Sequence, residues 1–170
     1  MSASSAGARP RALEGPGSYV LLLRSPRARE VAVGRLGRLG LRRGHYLYVG
    51  SALGSGGLRA RLGHHLRPAS RPHWHLDHLR PHLEVLGAFV VWGRARVEHR
   101  IAAQLEEWLP EAPGLAGFGS SDCRCRRHLF YSQDRPSVPG LRGRLLRHAG
   151  LVYVGWRSAA TLRHTRDAWT

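Results

Sequence analysis

The sequence predicts an α/β fold, a small and mainly antiparallel sheet flanked by helices. Three observations predict it. Residues 18–24 (SYVLLLR) and 85–92 are short apolar runs of strand length. His45 to Val49 alternates between polar and apolar residues, the period of a half-buried strand. Between these runs lie stretches in which apolar residues recur every three or four positions, as on one face of a helix. Short connections rich in glycine and proline cannot carry parallel crossovers, so the strands are expected to run antiparallel. A chain of 170 residues with 42% hydrophobic content can bury one core, which implies one domain with tails.

In chain order, residues 1–16 are rich in Ser, Ala and Arg and read as a disordered tail; they are too short and too interrupted by Gly and Pro for a transit peptide. A domain is expected over 17–131. Its first strand, 18–24, is broken by Ser25-Pro26. A short second strand, 30–33, turns at Gly34, and Gly34, Gly37 and Gly40 suggest a flexible basic connection. The strand at 45–49 ends at Gly50. A small-residue loop leads into a helix over 58–66, with Leu58, Leu62 and Leu66 on one face and Arg61 and His65 on another. Pro72 can sit in the first turn of a helix over 73–80 that stops before Pro81. A strand over 85–92 follows. Then comes a helix over 96–109 with Val97, Ile101, Leu105 and Trp108 inward, a loop over 110–119, and a last edge strand over 127–132. Residues 132–170 read as a basic C-terminal extension whose structure the sequence leaves unassigned, apart from a helix suggested at 141–148. The Tyr153-Val154-Gly155 run, which echoes residues 48–50, reads as coincidence.

Charge points to the partner. The net charge is +16, and all 27 basic residues are Arg, since the chain contains no Lys. A GC-rich genome accounts for the choice of Arg. The field itself attracts phosphate backbones, and guanidinium groups fork onto phosphate oxygens. Nucleic acid, DNA first, is the expected partner, with Arg59, Arg67, His73 and His75 among the expected contacts. No apolar run reaches 18 residues, so no membrane span is expected. The two cysteines, Cys123 and Cys125, stand too close to pair readily, which implies a reducing compartment and a cytoplasmic location.

Several side chains carry candidate chemistry. Glu98 shares the edge of a buried helix face with Ala102, Leu105 and Leu109, whereas Glu107 falls on the solvated side. A carboxylate at a core edge needs a partner. That partner is either a hard divalent ion such as Mg²⁺ or Mn²⁺, or the helix dipole together with Arg94. Tyr19 and Tyr48 are core tyrosines or, in a functional reading, a source of phenolate base. A phenol titrates near ~10, and bringing it to neutrality requires about three units, or roughly 4 kcal/mol of preference for the anion. A metal and Arg61 have the sign to supply it. Arg61, after the glycine loop and opposite Tyr48, can clamp a phosphate as negative charge develops; Arg59 is its nearest competitor. His73, His75, His78 and His82 are expected to touch phosphate or pack on Trp74 rather than hold a metal, and His73 and Asp77 are spaced to hydrogen-bond. Cys123, Cys125 and His128 offer three zinc ligands, one short of a structural site; His99 or another histidine would have to complete it. Two reduced thiols without zinc are the expectation at this stage.

Tyr48-Val49-Gly50, preceded 29 residues earlier by Tyr19 in Gly17-Ser18-Tyr19 and followed by Arg61, resembles the GIY-YIG nuclease superfamily. The runs at 48–52, 73–75 and 117–123 are similar to an uncharacterised branch of it, sometimes fused to endonuclease III-type repair enzymes. The resemblance covers residues 17 to 131. It implies a metal-dependent DNA endonuclease, possible service in DNA repair, Tyr48 as base with Tyr19 beside it, Arg61 as phosphate clamp, and Glu98 as sole ligand of one Mg²⁺ or Mn²⁺. It also implies His65 as proton relay or phosphate donor. Two positions depart from the pattern. The chain contains no Asn, leaving Asp122 or Gln133 to replace a late asparagine, and Ser51 stands where a lysine is usual. A binding module that keeps the shape without the chemistry is therefore the alternative.

Overall fold

In the computed structural model, which describes residues 13–109, 116–149, 151 and 154–167, the chain runs β1 (Gly17–Ser25), β2 (Arg29–Ala32), a 3₁₀ turn (Gly34–Leu36), β3 (Arg38–Leu41), β4 (Gly44–Ala52), α1 (Gly57–His65) and α2 (His75–Leu79). It continues through a second 3₁₀ turn (Arg80–His82), β5 (Glu84–Trp92), α3 (Glu98–Trp108), β6 (Leu129–Ser132), α4 (Val138–His148), β7 (Gly155–Ser158) and α5 (Ala159–Asp167). Five strands form one antiparallel sheet in the order β6-β4-β1-β5-β7.

The central position of β1 explains its composition. Both of its edges are hydrogen-bonded and both of its faces are covered, so its middle, Tyr19 to Leu23, is an unbroken apolar run. Tyr19, Leu21 and Leu23 face a core closed by Leu58, Leu62, Leu76, Leu79 and Leu162. Val20 and Leu22 join Leu47, Val49 and Phe89 against Ile101, Leu105, Leu141 and Leu145 on the other side. The result is a sheet between two helical layers.

Several expectations need correction. The glycine-spaced connection after Gly34 is ordered: β3 pairs with β2 as a separate two-stranded ribbon, and Leu39 and Leu41 are buried. Leu13 to Pro16, read as part of the tail, are held in place. Leu13 is buried, Leu58 N–H donates to Gly15 C=O, and Gly93 N–H donates to Pro16 C=O; residues 1–12 lie outside the described residues. The helix after Pro72 begins later than expected, at His75, because the Asp77 carboxylate accepts the N–H groups of His73 and Trp74 and so sets the start of the helix. The segment after 132 supplies α4, the sheet-edge strand β7 and α5, with Leu141, Leu145 and Val154 buried. Among the described residues, no helix is long and apolar enough to cross a membrane.

Candidate functional site

Strand β6 pairs with β4 only as far as Tyr48, where Leu129 is its partner. One residue further, Val49 N–H still donates to the His128 carbonyl; past it, among the described residues, no strand pairs with β4 on that edge, and groups from both faces of the sheet can meet around it. The cleft there has a volume of about 580 Å³. Tyr19, Tyr48, Arg61 and Glu98 all line it, with His73, His75, Ser51 and Asp122. These residues come from β1, β4, α1, α2, α3 and two loops.

The two tyrosines are set by register. Tyr19 lies opposite Gly50, and Tyr48 opposite Leu21, so both rings project from the same face, with centroids 6.5 Å apart. Gly50 makes this possible: a Cβ there would lie 2.3 Å from the Tyr19 hydroxyl oxygen. Behind them sits His65, 1% exposed, with Nε2 2.8 Å from the Tyr19 hydroxyl and its ring edge-on to Tyr48. His65 Nδ1 has no hydrogen-bond partner among the described residues. An unpaired buried N–H is costlier than an unpaired lone pair, which favours the proton on Nε2, donated to the Tyr19 oxygen. The Tyr19 O–H is then available to the cleft. Burial, with help from His64, pushes the His65 pKa down to about 3, so the ring is neutral. This corrects one expectation: a histidine so deeply buried cannot itself touch a phosphate, and its place is behind Tyr19.

Burial also raises both phenols, Tyr19 well above its usual value and Tyr48 to about 12, while Arg61 pulls each in the opposite direction. The Arg61 guanidinium stacks on Trp74, 4.0 Å from the ring centre, and among the described residues no carboxylate pairs with it. Trp74 is wedged in turn between His64 and His73. Its backbone N–H donates to Asp77, which also takes His64 Nε2 at 2.7 Å. These bonds hold the Asp77 carboxyl below its usual range despite burial. Arg80 completes the support by donating to the backbone carbonyls of His65 and Leu83. Sequence reasoning missed this platform of Trp74, Asp77 and Arg80. Its visible traces were the expected packing of histidines on Trp74, which His73 makes, and the four-residue spacing of His73 and Asp77, where the contact proves to be through the His73 backbone.

Glu98 enters from the other face, in the first turn of α3, where the helix dipole favours a carboxylate. It is 5% exposed; its Oε2 accepts from Ser18 Oγ at 3.0 Å, and its Oε1 lies 3.6 Å from His99 Nε2. Glu107 is exposed, as its helical position implied.

The remaining candidates separate. Arg59 and Arg67 line a different cavity, with Leu13 and Leu162, and do not reach the cleft. His73 borders the cleft and is exposed, whereas His75 accepts the N–H of Gly119. His82 is bonded to Arg29, away from His75. Of the two substitutes for the missing asparagine, Asp122 lines the cleft and Gln133 lies in a separate cavity with Arg24 and Arg43. Cys123 and His128 border the cleft, and both thiols are free.

Among comparisons with known proteins, the family described as domain of unknown function DUF123 matches residues 18–151. No curated protein and no solved structure matches.

Proposed function

The chain belongs to the family described as domain of unknown function DUF123, and on that premise we propose that it is a metal-dependent endonuclease that hydrolyses phosphodiester bonds in DNA. One observation carries the reading: Tyr19, Tyr48, Arg61 and Glu98, brought from four separate elements, line one cleft. The resemblance of residues 17–131 to GIY-YIG nucleases and the charge of +16 support it.

The cleft's donor set fits a hard divalent ion. Glu98 is a single carboxylate in the cleft lining, with one oxygen accepting from Ser18 Oγ and the other 3.6 Å from His99 Nε2, and Mg²⁺ or Mn²⁺ commonly takes one or two carboxylates together with waters and substrate phosphate oxygens. When bound, the ion supplies Lewis-acid stabilisation of the phosphate oxygens. Arg61, held flat by Trp74, binds a non-bridging phosphate oxygen and stabilises charge that develops there. Tyr48, as its phenolate, takes the proton of the attacking water while the water oxygen bonds to phosphorus and the bond from phosphorus to the leaving oxygen breaks. Moving its pKa from about 12 to neutrality requires roughly five units, or ~7 kcal/mol, more than an unburied phenol needs. Arg61 contributes in the right direction, and the remainder must come from cations that arrive with substrate. Tyr19, oriented by His65, donates to the same phosphate.

A second reading is a DNA-binding module without cleavage. The height of the Tyr48 pKa, Ser51 in place of lysine and the lack of any Asn favour it. A cleavage screen with Mg²⁺ or Mn²⁺ on duplex, nicked, flapped and branched DNA separates the two. Metal-dependent cutting that disappears in Glu98→Ala supports the nuclease; binding of these substrates with no cutting supports the module.

A further inference from the structure

Beside the cleft, four ligand-type side chains meet that the proposed reaction does not use. His99 comes from the first turn of α3, Cys123 and Cys125 from the segment between α3 and β6, and His128 from the residue before β6. Their ligand atoms all lie within 4.8 Å of one another. We propose that His99, Cys123, Cys125 and His128 form a structural zinc site, closed by two thiolates and two imidazoles.

The distances suit a tetrahedron. Zn–S bonds near ~2.3 Å and Zn–N bonds near ~2.0–2.1 Å place neighbouring S and N ligands about 3.5 Å apart. The structure has Cys123 Sγ 3.3 Å from His128 Nε2 and Cys125 Sγ 3.3 Å from His99 Nδ1. Two separate thiol–imidazole hydrogen bonds would account for these pairs, but they would not require all four atoms to share one centre.

The outward nitrogens make the stronger case. His128 Nδ1 faces the Val49 carbonyl at 3.1 Å. A carbonyl only accepts, so the proton sits on Nδ1, and the Nε2 lone pair points toward Cys123. His99 repeats the pattern with its nitrogens exchanged: Nε2 lies 3.6 Å from the Glu98 carboxylate, and Nδ1 turns toward Cys125. Each imidazole thus has an acceptor outside and a free nitrogen inside, the outer-shell arrangement that orients metal-bound histidines. The donor chemistry selects the ion. Two sulfurs and two imidazoles favour zinc, and the set contains no carboxylate of the kind Mg²⁺ or Ca²⁺ requires. Cavities border the cluster on both sides and give the ion a way in.

Four protein ligands leave no open position, so the role is structural. Residues 116–128 form turns without helix or strand, held by a few backbone bonds such as Gly117 N–H to Arg126 C=O and His128 N–H to Phe118 C=O. Zinc would tie this segment to α3 and, through it, keep Gly119, Ser121 and Asp122 in the cleft wall.

The test uses the full chain without a histidine tag. Elemental analysis is expected to find about one zinc per chain, and Co²⁺ in its place should give the intense visible bands of a tetrahedral site with near-ultraviolet thiolate charge transfer. Chelation should lower the melting temperature by about 10 °C or more. Cys125→Ser should lose the metal. His99→Cys provides a second arm that does not depend on the folding of that variant: it should retain the ion and shift the cobalt spectrum toward three thiolates. Zinc-free folded protein that takes up none on addition overturns the proposal. So does a weak octahedral cobalt spectrum, a cobalt spectrum unchanged in His99→Cys, or a melting temperature indifferent to chelation.

Discussion

Substituting Gly50 by alanine should dislodge Tyr19 while leaving the sheet register intact. The added Cβ would lie 2.3 Å from the Tyr19 hydroxyl oxygen and 2.4 Å from Cζ. Tyr19 is 2% exposed and packed between β4 and His65, so the ring cannot retreat without leaving its rotamer and its bond to His65 Nε2. Overpacking of this kind costs about 1–3 kcal/mol, and loss of a buried hydrogen bond adds about 1 kcal/mol. The expected destabilisation is therefore about 2–4 kcal/mol, read as a shift in urea midpoint at constant slope. A double-mutant cycle isolates the cause. With Tyr19→Ala in the background the clash is gone, so Gly50→Ala should cost little, giving a coupling of about 2–3 kcal/mol. A Gly50→Ala cost below about 0.5 kcal/mol, or purely additive behaviour in the cycle, would refute the argument that this glycine exists to seat the tyrosine.

Four further outcomes are expected. His65 has a folded pKa near 3, against about 6.5 unfolded, so the unfolded chain binds the extra proton; stability is complete above about pH 6.5 and declines as pH falls toward 3. Between pH 7.5 and 5 this amounts to about 2 kcal/mol, and unfolding measured at both pH values should show that much less pH sensitivity in His65→Gln, in which Tyr19, His64, Arg61, Arg80 and Asp77 still face the site. Arg61→Ala should lower cleavage by about 100-fold or more, whereas Arg59→Ala, on a different cavity, should leave the rate per bound complex unchanged; equal effects would remove the special role of Arg61. Glu98→Gln keeps the bond from Ser18 and removes the charge, so it should abolish metal-dependent cleavage without a fall in melting temperature of more than a few degrees. DNA affinity should drop at least about tenfold between 50 and 200 mM salt, measured by anisotropy, because Arg–phosphate contacts release counterions; a flat salt response would show that the basic surface is not the binding surface.

Much of the sheet was legible because burial imprints itself locally. The both-sided burial of β1 appears as an unbroken apolar run; the alternation in β4 marked a strand but suggested half burial, whereas Tyr46 and Tyr48 are buried on one face and Leu47 and Val49 on the other. The face of α3 that packs on Val20 and Leu22 appears as Val97, Ile101 and Leu105 at helical spacing, which also placed Glu98 at the edge of the core. The β2–β3 ribbon was not legible, because Gly34, Gly37 and Gly40 suggest freedom while the burial of Leu39 and Leu41 depends on neighbours elsewhere in the chain. The C-terminal strand β7 was equally hidden: four residues are too few to display a period, and its existence depends on the free edge of β5.

By itself the sequence determined the antiparallel α/β sheet and the strongly positive charge, which rest on composition or on a period readable within a few residues, and it offered Tyr19, Tyr48, Arg61 and Glu98 as candidates through the order and spacing of motifs that resemble the GIY-YIG nucleases. Tertiary structure alone decided which candidates share a cleft. It separated Arg61 from Arg59 by the way α1 faces Trp74, chose Asp122 over Gln133, and withdrew His65 from the surface. It also brought His99 to Cys125, 26 residues away, placing a fourth ligand-type side chain beside Cys123, Cys125 and His128. The physical reason is that a ligand set or an active site is defined by distances across separate elements, and sheet register and helix packing fix those distances without leaving a local pattern in the chain.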